Sequence, residues 1–266
     1  FEIADGSFDS GTSHKIGSQY NFLNYNEKKI YKKELKDFTR LKIKNFKVDF
    51  NDLNKKLIFL ENKRIEFVKK IKNHNEFLNY QNIKKEINDL KKFGIIPFSI
   101  YARYAFIGKK FLISLKKNKI ITDRTYLKLI NSIDTIATEY IRMKNKSKYS
   151  KKLKKKFDNY FYHLRPGTYD INTNRYKSGL KLRKIRNLER ILSFDETLSI
   201  ISNTEKRKIN NFLKKNDFDF NYEHLLNFCV SAIKLRENSK FIFTRTLSDI
   251  LESMRLFSKK RGLNFK

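Results

Sequence analysis

Residues Tyr162 to Ile171 read Tyr-His-Leu-Arg-Pro-Gly-Thr-Tyr-Asp-Ile, and they set an imidazole, a guanidinium and a carboxylate within eight residues. Such groups bind anions and move protons when a fold holds them together. Pro166, one of only two prolines in the chain, fixes its own φ and removes a backbone donor, and Gly167 admits a tight turn. The pair interrupts any helix and presents His163, Arg165 and Asp170 on a shaped loop. Polar groups on a loop carried by a helical scaffold are a common way to build a binding site. The same residues could equally end one helix and cap its neighbours, so local sequence leaves binding loop and structural turn both open.

A second group of cations lies near the C-terminal end. Arg236-Glu237-Asn238-Ser239-Lys240 reads as the end of one helix and the approach to the next, with Arg245 four residues before Asp249. Arg236, Lys240 and Arg245 converging at a helix junction would suit a phosphate or carboxylate ligand. They would equally suit structural pairing with Glu237 and Asp249, the latter as a helix-surface ion pair. Ser10-Gly11-Thr12-Ser13-His14 puts a hydroxyl beside an imidazole, a pairing that needs a partnering carboxylate and a shaped pocket before it can act as a nucleophile. His74 and His224 stand alone on helical segments and read as surface or satisfied core residues. The sequence has no histidine pair at metal spacing, no Walker loop and no Gly-rich nucleotide turn. It shows no complete active site.

The elements that must position these residues are helices. Eight glycines and two prolines in 266 residues leave few turns, and 24 Phe with 39% hydrophobic residues supply ample core. Residues 1–17 alternate without a helical period and read as a strand end and loop. From about Asn51, Leu53, Leu57, Leu60, Arg64, Val68 and Ile71 trace one helix face, and Phe77, Ile83, Ile87 and Leu90 a second helix ending before Gly94. Pro97 suits the first turn of the next, and Thr122 or Asp123 caps another, whose inward face runs Leu127, Ile130, Ile133, Ala137, Tyr140 and Ile141. Three closing helices are expected over about 205–215, 222–237 and 243–261, the last stopped by Gly262. The fold class is mostly α: an irregular multi-helix bundle with a short extended N-terminal segment. Residues 1–20 end a preceding segment, and 21–266 form a helical domain with sub-parts at about 51–160 and 203–262 joined by the loop region 161–202.

The net charge of +32 creates a field that attracts polyanions, although the basic residues are dispersed, with one dense block at Lys148–Lys156. Charge of this kind licenses attraction without specificity. Cys229 is the only cysteine, so no internal disulfide forms, and its apolar neighbours predict a buried thiol. With no apolar run of the roughly 18 residues needed to cross a bilayer and no signal peptide, the expected location is cytoplasmic. The chain begins without Met and reads as part of a longer protein.

Three segments resemble the central helical region of phosphoenolpyruvate synthase-like, PEP-utilising phosphotransferases. Members carry Gly-His-Leu-Arg-Pro-Gly-Thr-Tyr-Asp-Ile-Leu-Ser-Pro-Arg-Tyr, matched by residues 162–176. The second match is Phe93-Gly94-Ile95-Ile96-Pro97-Phe98 with Ala102 to Ile107, and the third runs from Arg236 to Asp249. The resemblance covers nearly the whole chain, most securely from about Gln19. It implies an ATP-grasp domain upstream, a swivelling phosphohistidine domain downstream, and a small-molecule acceptor received by the helical region. ATP and Mg2+ would serve the parent enzyme, with no cofactor held by this fragment itself. His163, Arg165, Asp170, Arg236, Lys240 and Arg245 would then meet the anionic substrate or the phosphorylated histidine of the mobile domain. Two departures stand out: Tyr162 replaces the family's Gly, and Asn174 its Pro. The alternative is a standalone basic helical protein that binds nucleic acid through a diffuse lysine-rich surface. Within the phosphotransferase reading, nucleic acid binds only non-specifically.

Overall fold

The computed structural model describes residues 20–73, 78–185, 188–194 and 199–262. Ser10 to His14, His74 and Phe77 lie outside them, as does the N-terminal segment expected to be extended. Among the described residues the secondary structure is helical, with no strand. In chain order the helices are α1 (Tyr25–Lys44), α2 (Phe46–Asn73), α3 (Tyr80–Leu90), α4 (Ile96–Lys117), α5 (Asp123–Ser132) and α6 (Ile136–Ser147), then α7 (Lys151–Tyr160), the short α8 (Leu188–Ile191), α9 (Asn203–Lys215) and α10 (Tyr222–Lys260). A π-helical turn, Lys91–Ile95, sits between α3 and α4. None of these helices is long and apolar enough to cross a membrane, among the described residues.

Several expected boundaries move, each for a local reason. Helix α1 lies entirely before the first helix read from periodicity. Its start is set by Asn24, whose side chain accepts from the Glu27 amide while Glu27 accepts from the Asn24 amide. Gly94 does not end α3, because the chain stays helical through the π turn, with Ile96 donating to the Lys91 carbonyl five residues back. Pro97 follows as the second residue of α4 and has no amide hydrogen to give to the preceding turn. The helix expected through 123–141 breaks at Ile133, which is extended, and Thr135 restarts it by a reciprocal cap with Thr138. Leu127 and Ile141, expected inside, are 56% and 60% exposed. The two helices expected after residue 222 are one 39-residue helix, so Arg236–Lys240 is helix interior and no junction.

Two compact units are drawn from interleaved stretches of chain. The first comprises residues 20–51, Ile100–Ile133 and Phe194–Arg236. Phe46, Phe50, Tyr101 and Phe228 fill its core in edge-to-face contacts, and the Tyr101 hydroxyl donates to the Phe50 carbonyl at 3.0 Å. His224 is half-buried and packs edge-on against Phe46, with its Nε2 2.9 Å from the Ile43 carbonyl, a satisfied histidine between the surface and core settings expected. Gly108 lies against the backbone of Cys229, where a Cβ would come within 2.9 Å of the Cα. The Cys229 thiol is buried as expected, and burial pushes its pKa up.

The second unit comprises Asp52–Ser99, Asp134–Ser193 and residues 237–262. Its core gathers Leu60, Phe67, Val68, Ile71, Ile83, Leu90, Phe243 and Ile250. Gly94 is buried there because a Cβ would lie 2.8 Å from Leu60 Cδ2 and 3.0 Å from Phe243 Cβ. Glu86 on α3 is buried among these apolar residues, and desolvation, then repulsion from Asp89, push its carboxyl up to about 7 against Lys63, Lys85 and Lys70. The folded carboxyl therefore holds its proton over a range, from about 4.5 to about 7, in which the unfolded one has released it. Stability from this group falls as pH rises through that window. Glu86→Gln should raise the unfolding free energy at pH 8 by about 1–3 kcal/mol and change it little at pH 4.5. Urea titrations at both pH values read this directly, and a gain of equal size at pH 4.5 would refute it.

Candidate functional site

The second unit holds a buried ionic network that fixes the His-Leu-Arg-Pro-Gly-Thr loop. Arg64, at an otherwise apolar position of the α2 stripe, is fully buried. Its Nε and Nη2 donate to both Glu61 oxygens at 2.8 and 2.9 Å, and Nη1 donates to Asp249 Oδ2 at 2.7 Å. Arg175 donates from Nη2 to Asp249 Oδ1, also at 2.7 Å, and its Nε lies 3.8 Å from Glu252. Asp249 thus serves Arg64 and Arg175 from the interior, and the surface pair expected with Arg245 is replaced by these contacts. Arg245 is instead buried with Nε donating to the Tyr162 hydroxyl at 3.3 Å, Nη2 donating to the Arg183 carbonyl, and Nη1 3.9 Å from Glu61.

Tyr162, the residue standing where the resembled family has Gly, occupies the middle of this network. Its hydroxyl accepts from Arg64 at 3.2 Å and donates to Asp249 at 3.3 Å, while the guanidiniums of Arg175 and Arg245 lie over its ring. Two backbone bonds close the loop, from Tyr176 to Leu164 and from Lys177 to Tyr162. Gly167 is required for space, since a Cβ would come within 2.9 Å of both Asp170 Cβ and Thr173 Oγ1. Asp170 is exposed and organises the turn: its carboxylate accepts from the Asn172 amide and the Thr173 hydroxyl, which hold its pKa low.

Beside this network lies a cavity of about 390 Å³, within the usual size range of small-molecule sites. The loop contributes Phe161, His163, Leu164, Arg165 and Thr168; α6 contributes Ile136, Ala137, Tyr140 and Ile141; α10 contributes Glu237, Lys240, Phe241, Thr244 and Ser248. His163 is 1% exposed, and neither of its ring nitrogens has a hydrogen-bond partner among the described residues. Burial first, then the nearby guanidiniums of Arg245, Arg175, Arg64 and Arg165, hold its pKa well below the ordinary value. The imidazole is therefore neutral at pH 7, with one donor and one acceptor nitrogen.

Arg165 is also buried, and desolvation together with Arg175 lowers its pKa. Its Nη1 donates to the Asp170 carbonyl at 2.9 Å and its Nη2 to Ser248 Oγ at 3.3 Å, while Nε has no partner among the described residues. The Ser248 hydroxyl in turn donates to the His163 carbonyl at 2.8 Å, tying loop to helix.

Of the six candidate residues, the cavity gathers His163, Arg165 and Lys240, the last exposed. Arg245 belongs to the ionic network and Asp170 to the turn. Arg236 falls in the first unit, with its guanidinium over the Phe106 ring. The α6 wall and the Glu61–Arg64–Arg175–Asp249 network were not singled out from sequence. Arg64 carried a signal, since a cation within a leucine stripe requires a buried partner. Among the described residues no group of His, Cys, Asp and Glu is placed to hold a metal ion.

No family model, curated protein or solved structure matches this chain.

Proposed function

We propose that this chain is the acceptor-binding and domain-coupling helical module of a PEP synthase-like, ATP-dependent phosphotransferase. The observation that supports the reading is convergence: two of the three family-like segments, widely separated in sequence, line one cavity. The first supplies His163 and Arg165, and the third supplies Lys240, Thr244 and Ser248. Phosphoryl transfer draws its catalysis mainly from positioned cations and excluded water, and a buried guanidinium at a small-molecule cavity is suited to that work. In this reading the phosphohistidine and the nucleotide site lie on other domains of the parent protein, and the acceptor enters the cavity.

The test compares this chain with the product of the complete coding sequence. The chain alone, incubated with labelled ATP and pyruvate, should show no turnover above a heat-killed control. The complete protein should carry an ATP-grasp domain upstream and a Gly-rich Ser-His segment downstream, and should transfer phosphate. Flanks lacking both would overturn the reading. Tight, sequence-selective binding of a duplex near physiological salt would instead favour the nucleic-acid function, because a diffuse surface such as the exposed lysines of α7 gives only salt-labile attraction.

A further inference from the structure

We propose that the cavity of the second unit is the binding site for a monocarboxylate with an apolar body. The charges around its polar end point to an anionic ligand. Glu61 and Asp249 serve Arg64, Arg175 and Arg245 within the buried network, and Glu252 is shared between Arg175 and the half-exposed Arg255. Arg165 has only carbonyl and hydroxyl partners there, so one buried cation is left without a carboxylate of its own. At the rim, Lys240 and Glu237 carry opposite charges. A monoanion answers the Arg165 cation at a smaller desolvation cost than a phosphate dianion.

The hydrogen-bonding groups agree with the charge. The Thr244 and Ser248 hydroxyls already donate to the carbonyls of Lys240 and His163. Two buried groups of the lining are left unpartnered among the described residues, the Arg165 Nε–H and the His163 ring nitrogens, and Lys240 adds an exposed ammonium at the rim. A carboxylate accepts from donors of each kind. Ile136, Ala137, Ile141, Phe161, Leu164 and Phe241 make an apolar stretch of wall, beside the hydroxyls of Tyr140 and Thr168, that takes a hydrocarbon or aromatic body. At ~30 Å³ for each water-sized group, the volume accommodates roughly a dozen such groups.

This inference goes beyond the phosphotransferase reading and does not depend on it, since binding is a property of this chain alone. Calorimetric titration of the full chain near physiological salt, which screens its diffuse positive surface, provides the test. Hexanoate and 3-phenylpropionate should bind saturably at one site, at least tenfold more tightly than hexanamide, hexan-1-ol, hexyl phosphate or acetate. Arg165→Gln should erase the advantage of hexanoate over hexanamide. Ala137→Trp, a change at the exposed rim, should abolish binding while leaving Tm unchanged. Equal binding of amide and carboxylate, preference for hexyl phosphate, absence of saturation, or carboxylate binding untouched by Ala137→Trp would each overturn the proposal. Failure of phosphoryl transfer in the complete protein would leave it standing.

Discussion

Asp249→Asn should lower the unfolding free energy of the second unit by about 3–5 kcal/mol, the scale at which removing one partner strands a buried charge. The carboxylate is fully buried and accepts from Arg64 at 2.7 Å, Arg175 at 2.7 Å and the Tyr162 hydroxyl at 3.3 Å. Asparagine keeps the volume but loses the charge, and its amide nitrogen faces a guanidinium. Arg64 retains Glu61, whereas Arg175 retains only the more distant Glu252 and carbonyl acceptors. The loop that carries His163 and Arg165 should therefore loosen first, and limited trypsin digestion should cut after Arg175 in the variant before it does so in the parent. The control is Asp219→Asn, which removes a half-exposed bridge to Lys44 and should cost less than about 1 kcal/mol. Urea unfolding of both variants separates the cases. A loss at Asp249 no larger than at Asp219 would mean that the network does not hold the loop.

The network also explains which parts of this molecule its sequence could convey. Helix α2 was legible because Leu53, Leu57, Leu60, Val68 and Ile71 repeat on one face and are all buried. Helix α1 was not, because its apolar residues Ile30, Phe38 and Leu41 are exposed and only Thr39 and Ile43 are buried, so no strong stripe forms. Its start was nonetheless written in Asn24 and Glu27, a signal of capping chemistry independent of periodicity. The long α10 was read as two helices because Asn238 and Ser239 look like a stop. Both are buried, and Asn238 donates to the Ile191 carbonyl at 2.6 Å, so their polarity serves tertiary contacts. For the site, the loop's chemistry was visible from Pro166 and Gly167, but the fate of its neighbours depended on long-range pairing. Nothing local distinguishes Arg245, committed to the network, from Arg165, facing the cavity.

On the proposed phosphotransferase function, that distinction carries the second expected result, in the complete protein assayed with its acceptor. Arg165→Ala should lower kcat/KM by roughly 100-fold, which corresponds to about 2.7 kcal/mol of lost transition-state stabilisation. Arg165 is a buried cation of this cavity with no ion pair among the described residues, so its charge is available to an anionic acceptor. Arg165→Lys should recover only part of the loss, because an ammonium cannot hold Asp170 and Ser248 and reach the acceptor at once. A purely architectural Arg165 predicts another pattern. Its bonds to the Asp170 carbonyl and to Ser248 hold the loop against α10, so their loss would lower Tm while the folded fraction kept normal turnover. Arg245→Ala supplies the contrast, since Arg245 does not line the cavity and its removal should act mainly through stability. Kinetics and thermal unfolding on the same preparations therefore decide the matter: a destabilised but fully active Arg165→Ala enzyme would reduce the loop to scaffold.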